Sequence, residues 1–216
     1  MSRKKFAVIL SGSGVYDGAE IHEAVMCLYA IHLYDCQYQI FAPDIRQYHV
    51  INHLTGEEMK EERNVLIEGA RIARGEILPL SEFDSKDYDI LLMPGGFGAA
   101  KNLSTFAFDG PDCTVNAEVE KAIISMHKTG KPIGALCISP VILARVLQDV
   151  EVTIGQDEET SAAIEKMGAK ATKSNQQEIT IDYKNKIVTN PCYMLDSSII
   201  DIAEGAKNTV KALIKL

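Results

Sequence analysis

The sequence predicts an α/β protein with a mostly parallel sheet and helices on both of its faces. Short β-branched or apolar runs alternate along the chain with amphipathic stretches of helical length, the signature of βαβ units. Proline or glycine stops follow several of these runs, as at Pro43-Asp44, Pro94-Gly95-Gly96 and Gly130-Lys131-Pro132. A third observation is size. The chain's 216 residues, 46% hydrophobic and 24% charged with 15 Gly and 7 Pro, suffice for one sizeable core and fall short of two. Residues 1–216 are therefore expected to form a single domain.

The elements follow in order. Phe6–Leu10 reads as the first strand, and the glycine-rich turn Ser11–Gly18 leads to a helix over about Ala19–Tyr34 with Ile21, Val25, Leu28 and Ile31 or Leu33 at helical intervals. Tyr38–Ala42 is the second strand. Ile45–Gly75 is a polar excursion holding His49, His53 and one helix near Arg63–Arg74. Asp89–Met93 is the next core strand, followed by a Gly-, Ala- and Phe-rich loop and a helix near Val115–Thr129, closed by a glycine cap and a proline. Ile133–Leu136 has the small apolar character of a strand buried on both faces, with Cys137 at its carboxyl end and a helix from Pro140, where proline suits a first turn. Beyond it the pattern predicts a strand at Val152–Ile154, a helix at Glu158–Met167, a hairpin of Glu178–Asp182 with Lys186–Thr189, and a closing helix near Ser198–Ile214.

Charge and composition exclude several classes of function. The net charge is −8 and the basic residues cluster only at Arg3-Lys4-Lys5, so a nucleic-acid partner has no electrostatic footprint. Phe6–Leu10 is too brief for a secretion signal and no run approaches a membrane span. Five cysteines at positions 27, 36, 113, 137 and 192 form no CxxC pair, which fits a reducing compartment without disulfides or a zinc knuckle. A soluble, cytoplasmic protein with no metal and no membrane partner is the expectation.

Ligand crevices in open α/β sheets lie beyond the carboxyl ends of the strands. Four such ends stand out: Ser11–Gly18, Pro94-Gly95-Gly96, Cys137 and Asn190-Pro191-Cys192-Tyr193. Cys137 occupies a strand–turn–helix setting with the logic of a nucleophile elbow, where the following helix would favour thiolate; a small buried hydrophobe is the alternative. Gly95 and Gly96 let backbone approach closely and, with the Ile138 amide, could form an oxyanion hole; a Pro-Gly-Gly turn is more often only a turn. Glu20 and Glu23 can project from one side of the first helix, toward the crevice or, as most carboxylates do, toward solvent. His22 lies on another side, so no metal set forms there. Gly12-Ser13-Gly14 with Gly18 and Asp44 parallels a dinucleotide fingerprint, but its spacing is one residue long, and Val15, Tyr16 and Asp17 would set a ring and a carboxylate beside a pyrophosphate.

Together, the Gly-rich loop before Glu23, Pro94-Gly95-Gly96 and Cys137 between strand and helix resemble the class I glutamine amidotransferase-like superfamily of ThiJ/PfpI type. Closer still, Val8–Gly12, Gly14–Gly18, Val50–Gly56, Pro94–Leu103 and Asp112–Val115 look like the ElbB-type family of isoprenoid-biosynthesis proteins with an amidotransferase-like domain. The resemblance implies a flavodoxin-like sandwich, often a homodimer. It also implies a cofactor-free glyoxalase activity on a small aldehyde, with Cys137 as nucleophile and Glu23 as its hydrogen-bonded proton carrier. Glu20 is the alternative acid, and His53 and Asn102 are further candidates. Many superfamily members carry a histidine just after the cysteine or about twenty residues on, where this chain has Ile138 and Val152–Asp157. Proteolysis and glutamine hydrolysis thus lack their base. Two functions stay open: conversion of glyoxal or a related 2-oxoaldehyde to a 2-hydroxy acid, or a non-catalytic cysteine serving as redox sensor or ligand-binding module.

Overall fold

A computed structural model of the protein describes residues 3–216; residues 1 and 2 of the expected domain lie outside the described residues. In chain order the elements are β1 (Lys5–Ile9), α1 (Ile21–Leu33), β2 (Gln37–Ala42), α2 (Val65–Ala73), β3 (Ile77–Pro79), β4 (Ile90–Met93), α3 (Phe97–Lys101), α4 (Phe106–Asp109), α5 (Ala117–Lys128), β5 (Ile133–Leu136), α6 (Pro140–Leu147), β6 (Glu151–Val152), α7 (Glu158–Lys166), β7 (Lys170–Ala171), β8 (Thr180–Asp182), β9 (Ile187–Asn190) and α8 (Ile199–Lys215). Seven strands form one sheet in the order β3-β2-β1-β4-β5-β9-β8, and β6 pairs with β7 separately. All pairings in the large sheet are parallel except that of β8 with β9.

Alternation along β1 explains the two layers. Ala7 and Ile9 face a core shared with Val119, Ile123 and Met126 of α5, Val141 and Ile142 of α6, and Ile164 of α7. Phe6, Val8 and Leu10 face the opposite core, with Ala24, Cys27 and Ile31 of α1 and Ile202, Ala206 and Leu213 of α8. Strands buried on both faces are apolar throughout because no position points to water. Gly134 in β5 lets α8 lie close: a Cβ there would come within 2.7 Å of both Leu213 and Leu92.

Caps set the helix ends. Asn64, Asn116 and Asp157 each accept from a backbone N–H of the first turn of α2, α5 and α7, and Ser198 with Asp201 completes a capping box on α8. The long elements and the antiparallel hairpin match the sequence expectation, with ends shifted by a residue or two. The short ones do not. β3, β7, α3 and α4 carry two to five residues each, too few for any periodicity to register. The expected strand at Val152–Ile154 is confined to Glu151–Val152. Its ladder ends where the chain turns: the Gly155 N–H donates to the Thr153 hydroxyl at 3.0 Å, with Gly155 at φ 82°.

The excursion after β2 folds back over the Gly-rich loop. The Ile51 amide donates to the Asp17 carboxylate at 2.7 Å, and the Tyr48 amide to Asn102 Oδ1 at 2.9 Å. Gln47 Oε1 would lie 3.2 Å from a Cβ on Gly12, and His53 Nε2 2.7 Å from one on Gly14. The chain's own side chains thus fill the concavity in which a dinucleotide fingerprint would seat a pyrophosphate.

Candidate functional site

Four carboxyl ends of neighbouring strands converge on Cys137. In the register of β4, β5 and β9, Met93 stands beside Ala135 and Leu136 beside Asn190. The residue after Leu136 is therefore flanked by the Pro94-Gly95-Gly96 turn on one side and Pro191–Tyr193 on the other. The Cys137 N–H donates to the Asn190 carbonyl at 2.9 Å, and the chain then turns sharply at φ 57°. A non-glycine residue held in the left-handed region costs about 1–2 kcal/mol. The cost is borne because the turn is fixed from beneath: the buried Ser139 hydroxyl donates to the Pro94 carbonyl at 2.6 Å, and α6 starts at once with Pro140. The result is a side chain lifted off the sheet, as the strand–turn–helix pattern predicts.

Three groups beside the sulfur bear on its ionisation: the Gly96 and Ile138 amides and the Glu23 carboxyl. Glu23 is fully buried, on the first turn of α1. Its Oε2 accepts from the Gly95 N–H at 2.9 Å and its Oε1 from the Tyr193 N–H at 3.3 Å. Glu20, the neighbouring candidate, is also buried but holds α1 itself: its carboxylate caps the helix by accepting from the Glu23 N–H at 2.7 Å, while its own N–H donates to the Gly95 carbonyl at 2.9 Å. Both carboxyls thus leave the solvent that most of their kind occupy. Gly95 is required between them by space. A Cβ there would lie 2.3 Å from Cys137 Cβ and 2.7 Å from Glu23 Oε2. Since the Gly95 amide is taken up by Glu23, the N–H groups left at the sulfur are those of Gly96, at φ 99°, and Ile138.

The electrostatics correct one expectation. The helix after Cys137 does not leave it a free, exposed thiolate: the residue is 7% exposed, and burial together with the adjacent Glu23 pushes the thiol up, against the opposing pull of the two amides. Glu23 is itself raised from 4.5 to about 8, first by burial and then by the nearby Glu20 charge. Two adjacent buried groups compete for one charge, so the first ionisation belongs to the pair.

That raised carboxyl has a consequence for stability. In the unfolded chain Glu23 ionises near 4.5, whereas in the fold it keeps its proton to about 8. The folded state therefore binds the extra proton between these values, and stability falls as pH rises from about 4.5 to 8. At 1.36 kcal/mol per unit the full loss approaches roughly 5 kcal/mol. Glu23→Gln removes the titration, so its Tm relative to the parent should rise by about 10 °C between pH 5 and pH 9 in thermal melts; a pH-independent difference would contradict the buried, proton-holding carboxyl.

The other candidates sit apart from the sulfur. His53 is spent on backbone: its Nδ1 pairs with the Ile51 carbonyl at 3.0 Å and its Nε2 accepts from the Tyr16 N–H at 3.2 Å, and it does not line the cavity that Cys137 opens into. Asn102 joins three segments, donating to the Ser11 and Asp17 carbonyls and accepting from Tyr48. Tyr193, which sequence reasoning placed at a strand end without a role, belongs to the site. Its amide holds Glu23, its hydroxyl lies 2.9 Å from His22 Nδ1, and its ring walls the cavity, which measures about 400 Å³. The strand end Asn190–Tyr193 is visible in sequence; that it closes over a glutamate 170 residues earlier is set by strand order alone.

No family model matches the chain. It is 46% identical, over 98% of its length and 83% of the relative's, to the human glutamine amidotransferase-like class 1 domain-containing protein 3, mitochondrial. The structure of an isoprenoid biosynthesis protein with an amidotransferase-like domain from Ehrlichia chaffeensis superposes with a TM-score of 0.92 at 33% identity, covering 98% of both chains. Glyoxalase III of Candida albicans shares the fold at a TM-score of 0.62 and 16% identity, over 98% of this chain and 96% of that one. Like the human relative, the similar ES1 proteins of rat and zebrafish are named as mitochondrial, which overturns the expectation of a cytoplasmic protein. Free thiols indicate a reducing environment and do not distinguish the cytosol from the reducing interior of an organelle. The relatedness over nearly the whole chain and the parallel sheet with Cys137 at its centre agree: the chain belongs to the family of ES1 and glutamine amidotransferase-like class 1 domain-containing proteins, with the ElbB-type form of the ThiJ/PfpI fold.

Proposed function

We propose that the protein converts a 2-oxoaldehyde and water to a 2-hydroxy acid without a cofactor. The observation that carries this reading is the Cys137 sulfur held at a strained turn between a buried, proton-holding Glu23 and two backbone amides. The sulfur adds to the aldehyde carbon while its proton passes by way of Glu23 to the aldehyde oxygen, giving a hemithioacetal. Ionised Glu23 then takes the carbinol C–H proton to leave an enediolate; the hydroxyl proton on the sulfur-bearing carbon shifts to the neighbouring enediolate oxygen, and Glu23 returns its proton to the former ketone carbon, which makes a thioester. Water attacks that thioester and the Cys137 thiol leaves. The aldehyde carbon is oxidised and the ketone carbon reduced, so no outside oxidant is needed. Gly96 and Ile138 supply N–H groups where negative charge develops on oxygen. No amine has to be protonated on departure, which is why a histidine is dispensable.

A sensor needs a solvent-accessible thiolate, and the burial and raised ionisation of Cys137 weigh against that alternative. The test is steady-state formation of glycolate from glyoxal by the purified protein. A parent protein that forms none sinks the reading. The pair must lose one proton before chemistry begins, whichever atom then keeps the other. Turnover should therefore rise tenfold per pH unit below an apparent pKa near 8 and level off above it. A profile already flat from pH 6 would show that a free thiolate acts without Glu23.

A further inference from the structure

The cavity beside Cys137 is far larger than glyoxal requires and is built of carbon. Its volume of about 400 Å³ is walled by Val15, Phe97, Phe106, Ile138, Tyr193 and Met194. Phe97 is 47% exposed although it borders this space, an apolar ring left wet beside a reactive thiol, as happens where a ligand completes the burial. Charge is scarce. Asp157 is the one charged side chain in the lining among the described residues, and it stands at the head of α7, where its carboxylate accepts from the Thr160 N–H at 2.6 Å. The nearby cation is turned away: Lys101 Nζ donates to the Tyr16 carbonyl at 3.0 Å and lies 5.4 Å from the centre of the Phe97 ring, and it does not line the cavity. A substrate carboxylate or phosphate would meet no basic partner here, and would be repelled by Asp157.

We infer that the preferred substrate class is a 2-oxoaldehyde bearing a bulky, uncharged apolar substituent, aromatic or branched aliphatic, with anionic aldehydes excluded. This rests on the proposed glyoxalase reading. The apolar group would lie against Phe106 and Met194 while the aldehyde carbon faces the sulfur, and transfer of that group from water into the cavity supplies the selectivity.

Three aldehydes serve as probes: glyoxal, phenylglyoxal and 4-carboxyphenylglyoxal. The expected result is a kcat/KM for phenylglyoxal at least tenfold above that for glyoxal, and at least tenfold above that for its carboxylated form. Ala107→Phe, which adds a ring at an exposed residue of the cavity's lining, should cut the phenylglyoxal-to-glyoxal ratio tenfold or more. Asp157→Asn keeps the helix cap and should narrow the gap between phenylglyoxal and its carboxylated form. Equal kcat/KM values for glyoxal and phenylglyoxal, or a ratio that Ala107→Phe leaves unmoved, would overturn the inference and leave the glyoxalase reading standing. If no probe is turned over, the glyoxalase reading fails and the substrate assignment with it; protection of Cys137 from iodoacetamide, read by mass spectrometry, then decides whether the cavity prefers an apolar ligand. Half-protection by phenylglyoxal at a tenfold lower concentration than by glyoxal supports that preference, and equal protection or none refutes it.

Discussion

Cys137→Ala and Glu23→Gln should each lower conversion of glyoxal to glycolate by a factor of about a thousand or more. The sulfur forms the covalent bond on which every later step depends, so its loss leaves only what two amides can do for an unattached aldehyde. Glu23→Gln is the more telling change. Glutamine retains the size of the side chain but can neither accept the thiol proton nor move the carbinol hydrogen, the two tasks assigned to the carboxyl, and losing a positioned acid–base group alone costs roughly 100- to 10,000-fold. A redox sensor makes no such demand, because oxidation needs the thiolate only. Loss in both variants supports the Cys–Glu mechanism; a Glu23→Gln protein within tenfold of the parent removes the carboxyl from the chemistry.

Gly95→Ala is expected to disable the site without touching either reacting side chain. The φ of Gly95 lies outside the left-handed region, so alanine brings no backbone strain of its own and the whole effect is collision: the new Cβ lies 2.3 Å from Cys137 Cβ, 2.9 Å from its sulfur and 2.7 Å from Glu23 Oε2. The sulfur, the carboxyl or the loop has to move by the better part of an ångström. Displacements of that size cost about a hundredfold in rate, and overpacking costs about 1–3 kcal/mol in stability. Gly130→Ala is the matched control. It is a left-handed glycine, at φ 67°, with nothing within 4 Å of the added Cβ, so it should lose about 1 kcal/mol and no activity. Equal kinetics in Gly95→Ala and Gly130→Ala would show that the close approach at Gly95 has no bearing on catalysis.

How far the site is legible in sequence depends on the range over which each signal acts. The elbow at Cys137 is a local matter of strand, turn and Pro140, and it reads directly from the chain, as do the long helices with their caps. The protonation of the site does not. A glutamate three residues into a helix is ordinarily solvated, and Glu23 is buried only because an amide 72 residues later and another 170 residues later close on it. The same distance hides the inversion of the thiol's expected ionisation: a nearby helix start favours thiolate, but burial and, after it, the adjacent Glu23 carboxyl outweigh that pull. Ile45–Gly75 reads as polar excursion because the contacts of its first part, Ile51 with Asp17 and Tyr48 with Asn102, lie on other elements.

Those long separations also govern the order in which the site can assemble. Synthesis delivers α1 first, then the Gly95 turn, then the Cys137 elbow, and only afterward β9, whose Asn190 carbonyl and Tyr193 amide complete the frame. Chains made from the amino end fold as segments emerge, and parallel pairings across such spans close slowly. Cys137 thus passes through part of its life on the ribosome with one wall of its cavity unbuilt. During that interval it is a thiol open to modification, not the sheltered one of the finished fold, so a reducing compartment protects the nascent protein at least as much as the mature one.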